Sequence, residues 1–247
     1  MPSMKMTRKW NKVGFTLVEL LVVIAIIAVL AALSFTVGPK MLRKAKATEA
    51  MQNLRQLGPL LSTVAADHEM KLPAILGPVV QPDGTTLDLQ WNEVCLATLF
   101  PDTAPADFKT TQWWYKKKVF LRNPLLTETA KPRGWTPLNP GYAFNEMIAE
   151  NLETAKGAIP AHADLVAIRV PLAALSDPGR TPLIAPCDNY FYRYDAAEVA
   201  GFESGTLKDL TNDGKVPVLF VDGHIEVMTP EDYVTRKLFE VPIVPVR

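Results

Sequence analysis

Residues 15–38 read FTLVELLVVIAIIAVLAALSFTVG, an apolar run broken by a single charge at Glu19. As a helix this run would be about 36 Å long at ~1.5 Å per residue, enough to cross a ~30 Å hydrocarbon core. A segment of that length and polarity dictates much of what the rest can be. The chain is expected to consist of an anchor, residues 15–38, with a short basic stretch before it and a large polar-faced part after it. Basic residues flank the run on both sides: Lys5, Arg8, Lys9 and Lys12 before it, Lys40, Arg43, Lys44 and Lys46 after it. The excess of positive charge that orients membrane helices therefore does not choose a direction by itself. Size does, because the long C-terminal part has the look of an exported domain.

Glu19 decides between three readings of this run. A cleaved secretory signal has an apolar core of roughly 7–15 residues and an A-x-A site, and this run is longer and carries an acid near its start. A plain anchor fits the length but leaves the acid unexplained. An ionised side chain at the centre of a membrane helix costs about 2.5–3.5 kcal/mol even on lenient insertion scales, so such residues are usually paired and functional. The third reading supplies the partner. A cut after Gly14 would give Phe15 a positive α-amine at the edge of the apolar layer, one helical turn from Glu19. That amine could pair with Glu19 of the same chain or of a neighbouring one.

Past the anchor, Gly38-Pro39 is expected to kink or briefly interrupt the helix, because proline removes a backbone donor. Helical spacing then resumes at Ala47, Ala50, Met51, Leu54, Leu57, Leu61, Val64, Ala65 and His68, with Gly58-Pro59 a second weak point. The helix is expected to end near Lys71, with Pro73 as the stop. Shorter elements follow. Thr85–Leu89 reads as a strand after the turn Gln81-Pro82-Asp83-Gly84, Asn92–Phe100 as a helix, Gln112–Leu121 as an aromatic strand, and Phe144–Thr154 as a helix. Thr181–Ala185, Asn189–Tyr194, Val216–Val221 and Ile225–Met228 read as strands. Asp222-Gly223 between the last two is expected to form a two-residue type I′ hairpin, which needs positive φ at both positions. The fold class is α+β: a long N-terminal helix, half membrane and half soluble, packed on a small antiparallel sheet. The expected organisation is 1–14 leader, 15–38 span, 39–72 soluble helix and 73–247 globular head.

Charge excludes one class of partner. The whole chain has 26 basic and 26 acidic side chains. Subtracting the four basic residues of 1–14 leaves 22 against 26, a slightly acidic product, which argues against a nucleic-acid partner because such partners normally need a basic face. Cys95 and Cys187 could form one disulfide outside the cytoplasm or remain two buried thiols. The sequence has no C-x-x-C pair for metal.

The stretch Lys12-Val13-Gly14-Phe15-Thr16-Leu17-Val18-Glu19-Leu20, followed by an apolar helix, resembles the processing site of type IV prepilins and type II secretion pseudopilins. In that family a membrane-embedded aspartyl peptidase cuts after the Gly and methylates the exposed Phe amine. The resemblance implies cleavage between Gly14 and Phe15, N-methylation of Phe15, and Glu19 as the assembly glutamate. It further implies a pilin-like fold and a structural subunit rather than an enzyme. Its partners would be the peptidase/methyltransferase, copies of itself and other pilin-like subunits, and an assembly platform with its ATPase. The precursor would sit in the cytoplasmic membrane with residues 1–14 inside and the head in the periplasm, and would then enter an extracytoplasmic filament. The alternative is a membrane-anchored ligand-binding protein that never polymerises. Three further stretches resemble a prepilin-type subgroup of planctomycete and verrucomicrobial bacteria: Gln52–Gly58 with Asp67-His68 and Leu72-Pro73; Gly141-Tyr142-Ala143-Phe144-Asn145; and Val218–Glu226 with its Asp-Gly-His hairpin. That subgroup is labelled by a His ten positions before the Asp-Gly, and this chain has Asn212 there.

Other constellations carry less. Asp222-Gly223-His224 reads as a solvent-facing turn rather than a metal or acid–base site, and His68 and His162 have no ligand spacing to His224. Asp209, Thr211 and Asp213 match the start of a calcium loop, but no Glu stands at the twelfth position, which is Phe220. Some major pseudopilins bind calcium in a late loop, so the resemblance makes calcium a candidate cofactor here. Trp113-Trp114-Tyr115 beside Lys116–Lys118 reads as a strand with one buried face. No P-loop, G-x-S-x-G or dinucleotide fingerprint is present.

Overall fold

The computed structural model describes residues 16–80, 83–108, 120–124, 141–158, 161–187, 191–192 and 215–244. The chain divides into two compact units, Met1–Ala45 and Lys46–Arg247. One helix, α1, runs from Leu17 to Asp67 and contributes to both. The others belong to the second unit. In chain order they are β1 (Leu76–Val80), β2 (Thr86–Gln90), α2 (Trp91–Leu99), α3 (Pro105–Phe108), β3 (Tyr142–Asn145), α4 (Met147–Ala155) and α5 (His162–Leu165). Then come β4 (Pro182–Pro186), β5 (Phe191–Tyr192), β6 (Val216–Phe220), β7 (Ile225–Met228) and α6 (Pro230–Thr235).

β1 and β2 form an antiparallel ribbon, and the other strands form a five-stranded sheet in the order β5-β3-β4-β6-β7. The β3–β4, β4–β6 and β6–β7 pairs are antiparallel, while the short edge strand β5 runs parallel to β3. The strands β3, β4 and β6 are buried along their whole length. A strand reads as a continuous apolar run when both of its faces are covered, and here both are. Tyr142, Phe144, Ile184 and Leu219 join one core cluster with Leu54, Leu57, Leu61 and Val64 of α1 and Trp91 of α2. Ala143, Ala185, Val218 and Phe220 join a second cluster with Tyr233 and Leu238 of the C-terminal segment. The sheet is thus covered by helix on one side and by the chain's last turns on the other.

The apolar stripe expected on α1 is buried from Ala50 onward: Ala50, Leu54, Leu57, Leu61, Val64 and Ala65 are all buried, and Leu60 joins them. Ala47 is exposed and Met51 half-buried, so the buried stripe begins one turn later than its spacing suggests.

Four local expectations differ from what is observed. The helix is unbroken through both Gly-Pro pairs. Each proline is preceded by a glycine, which has no Cβ to clash with the proline ring, so the α conformation survives there. At Gly58 the missing side chain also makes room. A Cβ there would lie 3.4 Å from Leu219 Cδ1 and 3.7 Å from Gly223 Cα, so the β6–β7 turn rests on the helix at that point. The helix ends at Asp67 rather than near Lys71, because Glu69 and Met70 adopt positive φ (57° and 59°). The chain then turns to pair with a later segment, Leu72 N donating to Val170 O at 2.8 Å.

Phe144 and Asn145 belong to a strand, and the helix expected over 144–154 starts at Met147. Asn145 makes that boundary: its Nδ2 donates to Pro182 O at 2.8 Å and its Oδ1 accepts from Met147 N at 3.0 Å. The hairpin is not a two-residue I′ turn either. Gly223 has φ 91° but Asp222 is not in the positive region. Gly223 N donates to Phe220 O and Phe220 N to His224 O, which closes a three-residue loop ending on a left-handed glycine.

Candidate functional site

Only the first turn of α1 carries a charge in the apolar run. Thr16 stands just before the helix, and its carbonyl accepts the first helical hydrogen bond, from Leu20 N at 3.2 Å. Its hydroxyl accepts from Glu19 N at 3.3 Å. In return Glu19 Oε2 accepts from both Thr16 N and Thr16 Oγ1, each at 2.8 Å. This is a reciprocal capping box: threonine at the cap, glutamate three residues on, and orphan backbone donors satisfied in both directions. Both bonds to the carboxylate fall on the same oxygen.

The window Leu17–Ser34 that follows is long and apolar enough to cross a membrane, and none of it is buried. Leu17, Leu20, Ile24, Ile27, Leu30 and Leu33 are all more than half exposed. A helix apolar on every side belongs either in a protein interior or in lipid. The hydroxyl of Ser34, the last residue of the window, is satisfied within the helix by Leu30 O at 2.8 Å. Gly14 and Phe15, the expected processing residues, lie outside the described residues.

The Asp-Gly-His hairpin gathers a surface network rather than a pocket. His224 Nδ1 lies 2.5 Å from Asp222 Oδ1, its Nε2 lies 3.3 Å from Glu226 Oε1, and its ring stacks on Phe220 at 4.3 Å. Glu226 is in turn paired with Arg236. The Arg236 guanidinium holds the Glu226 carboxyl below its ordinary range, and Glu226 raises Arg236 in exchange. These groups are about one-third to two-fifths exposed, and pairs of that kind contribute little to stability. Among the described residues no group of three or more His, Cys, Asp or Glu could hold a metal ion. Asp209, Thr211 and Asp213 lie outside the described residues, as does the Trp113–Lys118 stretch. Cys95 and Cys187 are both buried thiols with no disulfide between them, one in each core cluster.

His68, at the end of α1, meets a guanidinium. Arg169 Nη1 lies 3.3 Å from His68 Nδ1, and Arg169 Nη2 donates to Pro78 O. A guanidinium only donates, so Nδ1 must accept and the imidazole is neutral with its proton on Nε2. Burial and the Arg169 charge push its pKa down, against an opposing effect of Asp67.

Sequence reasoning overlooked the polar residues that tie α1 to β3 and to the neighbouring 121–124 segment. Tyr142 Oη donates to Ala50 O at 3.1 Å, Asn53 Nδ2 to Arg122 O at 3.0 Å, and Asn123 Nδ2 to Gly141 O at 2.9 Å. The Gly141–Asn145 stretch therefore has a structural use: a left-handed glycine (φ 77°), a tyrosine bonded to the helix, and an asparagine that starts α4. The available signal was Asn145, an amide closing the apolar run Tyr142-Ala143-Phe144, since such groups are kept in a core only when bonded.

Comparison with known proteins bears on the same N-terminal turn. Residues 14–35 match the family model described as the prokaryotic N-terminal methylation motif, a span that begins at Gly14 and includes Phe15, Thr16 and Glu19. The motif supports a pilin-type precursor. It implies processing by a prepilin peptidase and assembly with other pilin-type subunits, and proteins that carry it are structural subunits rather than enzymes. With the exposed apolar helix it indicates membrane anchoring. No curated protein and no solved structure matches the chain.

Proposed function

We propose that the chain is a pseudopilin or minor pilin, a structural subunit of a type II secretion or type IV pilus-like filament, of the planctomycete–verrucomicrobial prepilin-type subgroup. It is cut between Gly14 and Phe15 and methylated on the new Phe15 amine. The 1–14 leader lies in the cytoplasm and the head in the periplasm until the subunit passes to the platform and its ATPase. Assembly then brings the Phe15 amine of one subunit to the Glu19 carboxylate of a neighbour, so each neutralises a charge otherwise stranded among apolar helices.

The observation that carries this reading is the lone carboxylate at the head of an uncovered apolar helix, inside the matched motif. An anchor alone would need no acid there. Mass spectrometry of the N-terminal peptide from membranes of the native host tests it. A peptide starting at Phe15 and bearing one added methyl group is the expected result. A chain still starting at Met1 would make it an uncut anchor, and a tethered binding protein would be the better reading. Glu19→Ala should leave cleavage possible and weaken incorporation into filaments. Normal incorporation of that variant would remove Glu19 from assembly.

A further inference from the structure

Beyond the apolar run the charge is of one sign. Lys40, Arg43, Lys44 and Lys46 fall within seven residues, and no acid stands between Glu19 and Glu49. The helix is unbroken through Gly38-Pro39, so this stretch continues the span as one rod. Arg43 and Lys44 are exposed and Lys46 is half-buried, while Met41 and Leu42 beside them are 67% and 60% exposed. An exposed apolar pair among cationic side chains is the pattern of a helical segment lying in a lipid headgroup layer. We propose that the stretch 40–46 binds the headgroups of anionic phospholipids in the leaflet at the C-terminal end of the span. The inference rests on that span lying in a bilayer, and holds whether or not the chain is cut or enters a filament.

Depth and charge both favour this partner. Residues 15–38 reach about 36 Å as a helix, against a ~30 Å hydrocarbon core. Positions 40 to 46 follow roughly 3–12 Å past that run, and the headgroup layer on each side is about 5–8 Å thick. Lysine and arginine stems are long enough to lie along the helix and bring their charge back to the phosphates. The guanidinium of Arg43 can also offer two parallel donors to phosphate oxygens. Cations at this end work against the orienting effect of the basic residues before the span, so their use lies at their own end. A second copy of the chain is the competing occupant, because the part beyond Lys46 carries more acids than bases. The bilayer has the stronger claim, since it is continuous with the surface that already covers the span and is in place before any second copy arrives. Held in this way an unassembled subunit keeps one depth, and leaving the bilayer costs it these contacts.

The test places the full-length chain in phosphatidylcholine vesicles that carry a small fraction of photoreactive phosphatidylglycerol or, in a matched set, photoreactive phosphatidylcholine. After irradiation the adducts are mapped by mass spectrometry, which separates the stretch 40–46 from the basic residues at 5–12. Wild type is expected to give at least about fivefold more phosphatidylglycerol than phosphatidylcholine adduct at 40–46, the scale of one basic residue held at an anionic surface. Raising the salt should erode that preference, because exposed charges are screened. A variant carrying Arg43→Gln, Lys44→Gln and Lys46→Gln should lose it, and one carrying Arg43→Lys, Lys44→Arg and Lys46→Arg should keep it. Glutamine is about as good a helix former as lysine or arginine, so the helix itself is left in place. Should the glutamine triple fail to insert, Arg43→Gln alone and the wild-type salt series read the same effect. Equal adduct yields in wild type, or a preference that survives the glutamine changes, would overturn the proposal. It would be overturned in favour of a second copy if carbodiimide, which joins amines to carboxylates, linked Lys44 or Lys46 to the acids of another chain while the lipid preference was absent. A chain washed from the vesicles by alkaline carbonate would refute the span itself, on which the inference rests.

Discussion

At residue scale, the polar side chains that matter in this molecule are those whose second bond reaches a different element. Tyr142 and Asn53 bond from within the core to backbone carbonyls far along the chain, and His68 does its work through Arg169. His68 makes a pH dependence. Its pKa in the folded chain lies below the ordinary 6.5, through burial first and the Arg169 charge second. The unfolded chain therefore takes up this proton at higher pH than the folded one, and stability falls as pH drops below about 6.5 until the folded pKa is passed. The lowered carboxylates Glu69, Asp83, Glu226 and Asp232 act in a separate, more acidic window. Urea unfolding of the detergent-solubilised chain at about pH 7.5 and about pH 5.5 should show the loss. His68→Gln, which can still accept from Arg169 but cannot titrate, should reduce it. An equal loss in both chains would place its source elsewhere. Glu19 was legible in the sequence because a lone acid in an apolar run demands a partner. Thr16 was not, since a threonine before a helix announces a cap and only the geometry shows both of its donors on one carboxylate oxygen.

At the scale of elements, α1 carries two prolines without breaking, and the reason lies in their neighbours. Gly38 and Gly58 remove the Cβ that would oppose the α conformation before a proline. The lost donor at Pro59 remains a cost, because its position is well inside the helix and exposed. Proline in a helix interior is worse than alanine by about 3 kcal/mol, and its stiffening of the unfolded chain returns at most about 1 kcal/mol. Pro59→Ala should therefore stabilise the chain by about 2 kcal/mol, read as a higher urea midpoint with an unchanged slope. A lower midpoint would mean that the proline ring or the bend it imposes is used by the packing at Gly58. An interruption at Gly38-Pro39 was a fair inference from proline and a poor one from the Gly-Pro dipeptide. Most strands were legible from their β-branched and apolar runs, including β4, β6 and β7. The boundary at Asn145 was not, because Tyr142–Phe144 continues smoothly into the apolar spacing of α4, and the residue that divides them does so through a bond to Pro182, which is distant in sequence.

At the scale of the whole molecule, the two units have opposite relations to water. The first contributes the exposed apolar span, and among the described residues the buried hydrophobic ones all lie at Ala50 or beyond. The second unit, from Lys46, thus keeps its described core if the first is removed. Its charge favours solubility as well. Seven of the 26 basic residues and one of the 26 acidic ones precede Lys46, which leaves 19 basic against 25 acidic. A net negative charge of that size is in the range that keeps small domains soluble and apart. Deleting residues 1–45 should yield a soluble protein that unfolds cooperatively on heating and elutes as a monomer. Were it to aggregate or melt without a transition, the core beyond Ala50 would depend on the N-terminal half of α1. A fragment that folded but still formed multimers would locate part of the association in the head. A folded monomer would assign it to the apolar helix and its capped carboxylate, where the Glu19 pairing requires it.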